Sequence, residues 1–82
     1  MTILPLNPRL VEFLKKRKLK EKFDKQKLLF EQNISHPSLE TELLEPKQFR
    51  FWSFRIDQKY RAIFIFMQKD TVEIIDINNH YQ

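Results

Sequence analysis

Glycine and cysteine are both absent from the 82 residues of this chain. Glycine lets the backbone approach a phosphate closely, so its absence excludes a P-loop and the glycine-rich fingerprint of dinucleotide-binding enzymes. Without cysteine there is neither a disulfide nor a thiolate, and two histidines alone do not favour a zinc site. We therefore expect no metal, no small-molecule cofactor and no chemistry that depends on a nucleotide cofactor.

Long apolar runs are also missing. No stretch approaches the roughly 20 residues of a membrane span, so we expect a cytoplasmic protein without membrane contact. Hydrophobic residues nevertheless make up 41% of the chain and include eight Phe, enough for the single core that a chain of this length closes, and we expect one domain over residues 1–82. The formal charge of +4 favours an anionic partner, either nucleic acid or an acidic protein segment.

Apolar residues recur at helical spacing in the first half of the chain. Asn7 and Pro8 are typical of a helix N-terminus, and two apolar stripes follow them. The stripes comprise Leu10, Phe13 and Leu14, and then Leu19, Phe23, Phe30 and Ile34. They point about 140° apart, so they predict two helices with a break at residues 15–18. The segment 33–37, which contains Asn33 and Pro37, is predicted to end the second helix.

From Phe49 onwards the apolar period changes to two. This pattern predicts three strands over residues 49–56, 60–67 and 72–77, and residues 2–4 are a candidate edge strand. The expected fold is α+β, with two N-terminal helices packed on one face of a small twisted, mainly antiparallel sheet. The opposite face is expected to be open to a ligand.

Four segments carry a resemblance to a known superfamily. They are residues 36–39 (HPSL), 52–56 (WSFRI), 59–64 (KYRAIF) and 72–81 (VEIIDINNHY). In this order they resemble the RelE/ParE toxin superfamily over nearly the whole chain, which implies a RelE-like fold and a role in a type II toxin–antitoxin system. RelE-like and YoeB-like members are ribosome-associated ribonucleases that cut messenger RNA, whereas ParE-like members inhibit DNA gyrase without cutting RNA. The resemblance therefore implies an endoribonuclease, with a gyrase inhibitor as the alternative.

The resemblance also implies catalytic positions. Arg61 matches the arginine that contacts the scissile phosphate, and Arg55 matches a strand position that is often basic. His80 and Tyr81 match a C-terminal His-Tyr pair, although the usual glycine near that pair is replaced here by asparagine. Glu42 lies near the acidic position of the family, and Glu40 and Glu45 in the same loop are alternatives to it.

Metal-free RNA cleavage needs a base, an acid and a cation, because the ribose 2′-hydroxyl must lose a proton before it attacks the phosphorus. His80 is a natural proton carrier and Arg61 a natural phosphate ligand, although an arginine at the start of a strand also occurs simply as a surface ion-pair residue. We expect Arg61 on the open sheet face, where its replacement would leave stability unchanged.

Contacts with RNA are expected from further basic and aromatic side chains: Lys16, Lys20, Lys27, Arg50, Phe51 and Lys59. The helical lysines are candidates for ribosomal RNA, although such a run also occurs as a solvated helix surface. Two kinds of partner are expected: messenger RNA with the ribosome and its ribosomal RNA, and a cognate antitoxin protein that covers the open face and neutralises Arg55 and Arg61. A basic module that only binds RNA or protein remains a third possibility.

Overall fold

A computed structural model describes residues 1–79 of the chain. Two helices, α1 (Pro8–Lys16) and α2 (Lys20–Gln32), follow a short first strand. The five strands are β1 (Thr2–Ile3), β2 (Glu42–Leu43), β3 (Trp52–Arg55), β4 (Arg61–Gln68) and β5 (Thr71–Asn78). Single 3-10 turns lie at Pro37–Leu39 and Lys47–Phe49. The predicted α+β class with N-terminal helices is confirmed.

The break between the helices lies where the two apolar stripes predict it. Lys18 adopts a left-handed conformation with φ 57°, so the chain leaves the helical path directly after α1. The N–H of Lys18 then donates to the carbonyl of Lys15, and the N–H of Leu19 donates to the carbonyl of Leu14 at 2.8 Å. These two bonds form a Schellman motif, which satisfies the last carbonyls of α1 and lets α2 turn its own apolar stripe inwards.

The sheet has the order β1-β5-β4-β3-β2. Strands β2 to β5 pair antiparallel and β1 pairs parallel with β5, so the predicted meander and edge strand are both present. The first long strand is shorter than predicted, because Lys47–Phe49 forms a 3-10 turn and Arg50 is left-handed at φ 58°. The two-residue strand β2 was not predicted, since a segment so short carries no periodicity.

The hydrophobic core lies between the helices and one face of the sheet. Phe30 of α2 packs on Phe54 and Phe64, with ring centroids 4.9 and 5.1 Å apart. All three rings are fully buried, whereas Trp52 is only half-buried against this cluster. Both helices therefore lie on one side of the sheet, as predicted. Within residues 1–79, neither helix has the length and apolar character needed to cross a membrane.

Candidate active site

Strand register assigns a set of polar side chains to the sheet face that points away from the core. Directly opposed residues in a sheet share a face. One row across the strands contains Glu42, Ser53, Ile63 and Asp76. The next row on the same face, two residues further along β3, contains Arg55, Arg61 and Asn78. Three of the predicted catalytic residues, Glu42, Arg55 and Arg61, therefore share one face.

Arg61 lies at the centre of this face and is buried, with only 4% of its surface exposed. Its Nε donates to the hydroxyl of Ser53 at 2.9 Å, and Ser53 is itself fully buried. Its Nη2 donates to the backbone carbonyl of Glu40, and its Nη1 lies 3.5 Å from the carboxylate of Glu40. The expectation of an exposed arginine was wrong, because the segment before β2 brings acceptors directly onto the guanidinium.

Glu40 connects the two arginines. It follows the Pro37–Leu39 turn in a left-handed conformation with φ 46°, which costs a non-glycine residue on the order of 1 kcal/mol. Its carboxylate lies 3.2 Å from Nη1 of Arg55 and 3.5 Å from Nη1 of Arg61. The Glu40 side chain is 57% exposed and that of Arg55 is 35% exposed, so these two groups form the solvent-facing half of the cluster.

Glu42 is the second carboxylate of the cluster. Its Oε1 lies 3.8 Å from Nη2 of Arg61 and is shielded from solvent, yet it has no hydrogen-bond partner among residues 1–79. Two guanidinium groups and two carboxylates thus lie together with a formal charge of zero. We call Glu40, Glu42, Arg55 and Arg61 the arginine–glutamate cluster.

Two side chains outside the cluster fix the segment that carries Glu40. Nδ1 of His36 accepts the N–H of Ser38 at 3.1 Å and so caps the short turn. Nε2 of Gln26, in α2, donates to the carbonyls of Ser38 and Arg55 at 3.2 and 2.8 Å. Gln26 is 7% exposed. Its two hydrogen bonds join the segment before Glu40 and the end of β3 to the helical layer. Its one sequence signal is its position on the apolar stripe between Phe23 and Phe30.

Asp57 fixes the turn that joins β3 to β4. Its Oδ1 accepts the N–H groups of Lys59 and Tyr60 at 2.8 and 2.7 Å, and Nζ of Lys22 lies 3.6 Å from Oδ2. Burial raises the pKa of this carboxyl, but the two backbone N–H groups and Lys22 together outweigh burial and hold the pKa below its ordinary value. This turn directly follows the pair Arg55 and Arg61, which lie opposite each other on β3 and β4.

The remaining predicted RNA-binding residues near the strands lie at the surface. Arg50 and Lys59 are exposed, and Phe51 is 41% exposed beside Phe49, with ring centroids 6.1 Å apart. Among the contacts within residues 1–79, none joins these three side chains to the arginine–glutamate cluster.

The predicted helical lysines lie apart from the cluster, in the helical layer on the other side of the sheet. Lys20 pairs with Asp24 at 2.8 Å and Lys27 pairs with Glu31 at 3.8 Å, while Lys16 is exposed in the last turn of α1. Lys20 and Lys27 are thus partly neutralised by neighbours on their own helix.

His80 and Tyr81 lie outside the described residues. The described chain ends at Asn79, one residue after Asn78, which pairs with Arg61 across the sheet. Residues 1–79 contain no group of three histidine, aspartate or glutamate side chains placed to hold a metal ion.

No protein-family model and no curated protein sequence matches this chain.

Proposed function

We propose that this chain is a toxin of a type II toxin–antitoxin system that cuts messenger RNA without a metal ion, as RelE-like and YoeB-like ribonucleases do. One observation carries the proposal: two arginines and two glutamates, brought from three different segments, meet on the sheet face opposite the helices. The resemblance of the four sequence segments to the RelE/ParE superfamily supports the same assignment.

The proposed chemistry divides the arginine–glutamate cluster into two halves. Arg55, partly exposed and with a planar fork of donors, binds the scissile phosphate and stabilises the charge that develops on its oxygens. Glu40, the most exposed carboxylate, takes the proton of the ribose 2′-hydroxyl. Glu40 must then leave Arg55 when the phosphate arrives.

Arg61 has a different role in this proposal from the one that the resemblance implies. Because it is buried and its donors face Ser53 and Glu40, it positions Glu40 rather than contacting the phosphate. Glu42, whose Oε1 is shielded from solvent and accepts no hydrogen bond from residues 1–79, is the second candidate for the base. As the resemblance implies, His80 would donate the proton to the leaving 5′-oxygen, with Tyr81 beside it.

The partners follow from the same proposal. The substrate is messenger RNA on the ribosome, in the cytoplasm, and a cognate antitoxin restrains the enzyme by covering the sheet face. Because Glu40 already neutralises Arg61, we expect an acidic antitoxin side chain to replace Glu40 at Arg55 alone.

Expression without a partner, followed by primer extension on cellular messages, tests the proposal. The protein should arrest growth and create new 5′ ends within coding regions, and Arg55→Ala should abolish both effects while remaining folded. Lys69→Ala, which removes an exposed cation from the turn between β4 and β5, is the matched control and should still cut. Intact messages together with gyrase-linked DNA breaks would instead identify a ParE-like gyrase inhibitor.

A further inference from the structure

A groove runs along the helix side of Arg55. It lies between α2 and the turn that follows β3, and it is lined mainly by Lys22, Lys25, Arg55 and Gln58. Arg55 belongs both to this groove and to the arginine–glutamate cluster, so the groove and the cluster adjoin at Arg55. We call it the α2 groove.

The charge of the α2 groove is positive. Three cations line it against one carboxylate, Asp57. Both hydrogen bonds to Oδ1 of Asp57 come from backbone N–H groups, and Oδ2 lies 3.6 Å from Lys22. Lys25 is exposed and forms no ion pair with any residue of the described range 1–79. The groove lining therefore carries a net formal charge of +2, which becomes +1 when Glu40, the ion-pair partner of Arg55, is counted with it.

The floor of the groove is also suited to an anion. The carbonyls of Ser38 and Arg55 would repel a phosphate if their lone pairs faced it, but both accept hydrogen bonds from Nε2 of Gln26. Of the residues that line the groove, only Ile56 is apolar. A docked protein segment normally needs apolar anchors that fill pockets, whereas a phosphodiester chain needs cations and polar donors.

We propose that the α2 groove binds the phosphodiester backbone of single-stranded RNA next to the nucleotide held at Arg55. The inference rests on the proposed ribonuclease function and adds the path of the substrate strand. It assigns RNA contact to Lys22 and Lys25, which line the groove, rather than to Lys20 and Lys27, which are not part of its lining and pair with acidic residues of α2 itself.

Binding of a fluorescent RNA oligonucleotide tests the groove. The probe carries 2′-O-methyl riboses, so that no 2′-hydroxyl is present to attack, and anisotropy is measured over a range of salt concentrations. The double variant Lys22→Gln/Lys25→Gln should weaken binding by on the order of tenfold and lower the salt slope by about 1.4, because two phosphate contacts are lost. The double variant Lys20→Gln/Lys27→Gln removes the same charge from the same helix and should leave the slope unchanged.

Circular dichroism and thermal melting of both double variants establish that each is folded. Equal losses in the two variants would mean that only net charge matters and would overturn the inference, as would wild-type protein that does not bind the probe. Polyglutamate competing as well as RNA, with the same dependence on Lys22 and Lys25, would assign the groove to an acidic protein segment and also overturn it. Groove-dependent RNA binding by a protein that cuts no message would sustain the inference and refute the nuclease instead.

Discussion

Replacement of Arg61 by alanine should remove a large part of the protein's free energy of unfolding. The substitution removes the guanidinium that bonds Ser53 and the backbone of Glu40, and leaves two carboxylates beside each other without it. The side chains of Glu40 and Glu42 are partly exposed to solvent, so the main cost is the loss of two hydrogen bonds from a charged donor, at about 1.5–3 kcal/mol each or roughly 3–6 kcal/mol together. A chain of 82 residues has a free energy of unfolding of roughly 4–12 kcal/mol, so the loss is a large part of the total.

Thermal melting followed by circular dichroism measures this effect. At about 4–8 °C per kcal/mol for a domain of this size, the midpoint of Arg61→Ala should fall by roughly 12–48 °C. Arg55→Ala is the matched control: its ion pair with Glu40 is partly exposed, so it should cost less than about 1 kcal/mol. If both variants melted within a few degrees of the wild type, the deduction that Arg61 holds the segment before β2 would be refuted.

Three further substitutions test the supports of the fold and the site. Lys18→Gly should raise the free energy of unfolding by about 0.5–1 kcal/mol in urea denaturation, because relief of the left-handed strain exceeds the added flexibility of the unfolded chain; a loss would contradict this. Gln26→Leu should cost about 1–3 kcal/mol, since the carbonyls of Ser38 and Arg55 lose their buried donor, and an unchanged urea midpoint would contradict this role. The pKa of Asp57 is lowered on folding, so its charge stabilises the protein above the ordinary value of 3.8, and this contribution is lost as pH falls through the folded pKa. Asp57→Asn should therefore be less stable than the wild type at neutral pH, and the difference should shrink in acid; a difference that is constant with pH would show that the carboxylate charge is not involved.

The helices and the long strands could be predicted because their signals are local and periodic. The two stripes that begin at Leu10 and Leu19 point in different directions, and the break that they require is found at Lys18. Strands β4 and β5 are long enough for a period of two to be visible. The start of the first long strand was predicted three residues too early. The chain is left-handed at Arg50, just before the strand, and an arginine at that position gives no sequence signal of such a turn, as a glycine would.

The candidate site was only partly predictable, because its geometry depends on contacts between distant segments. Sequence indicated Arg55, Arg61 and a glutamate of the loop, and the structure brings them together. It could not indicate that Arg61 is buried, since the acceptors on its guanidinium come from Glu40, 21 residues earlier. Gln26 was missed for the same reason: it lies 12 and 29 residues from the two carbonyls to which it donates.

The central claim is that the arginine–glutamate cluster cuts RNA, and the rate of cleavage by Glu40→Gln tests it most directly. This change removes the charge of Glu40 while it keeps the size of the side chain and the backbone carbonyl that accepts from Arg61. Purified wild-type and variant proteins, both shown by melting to be folded, are compared on messenger RNA in a translating extract. The account predicts cleavage by the wild type and a rate lower by roughly 10²–10⁴-fold for the variant, because the base is lost. Cleavage at the wild-type rate both by folded Glu40→Gln and by folded Glu42→Gln would contradict it.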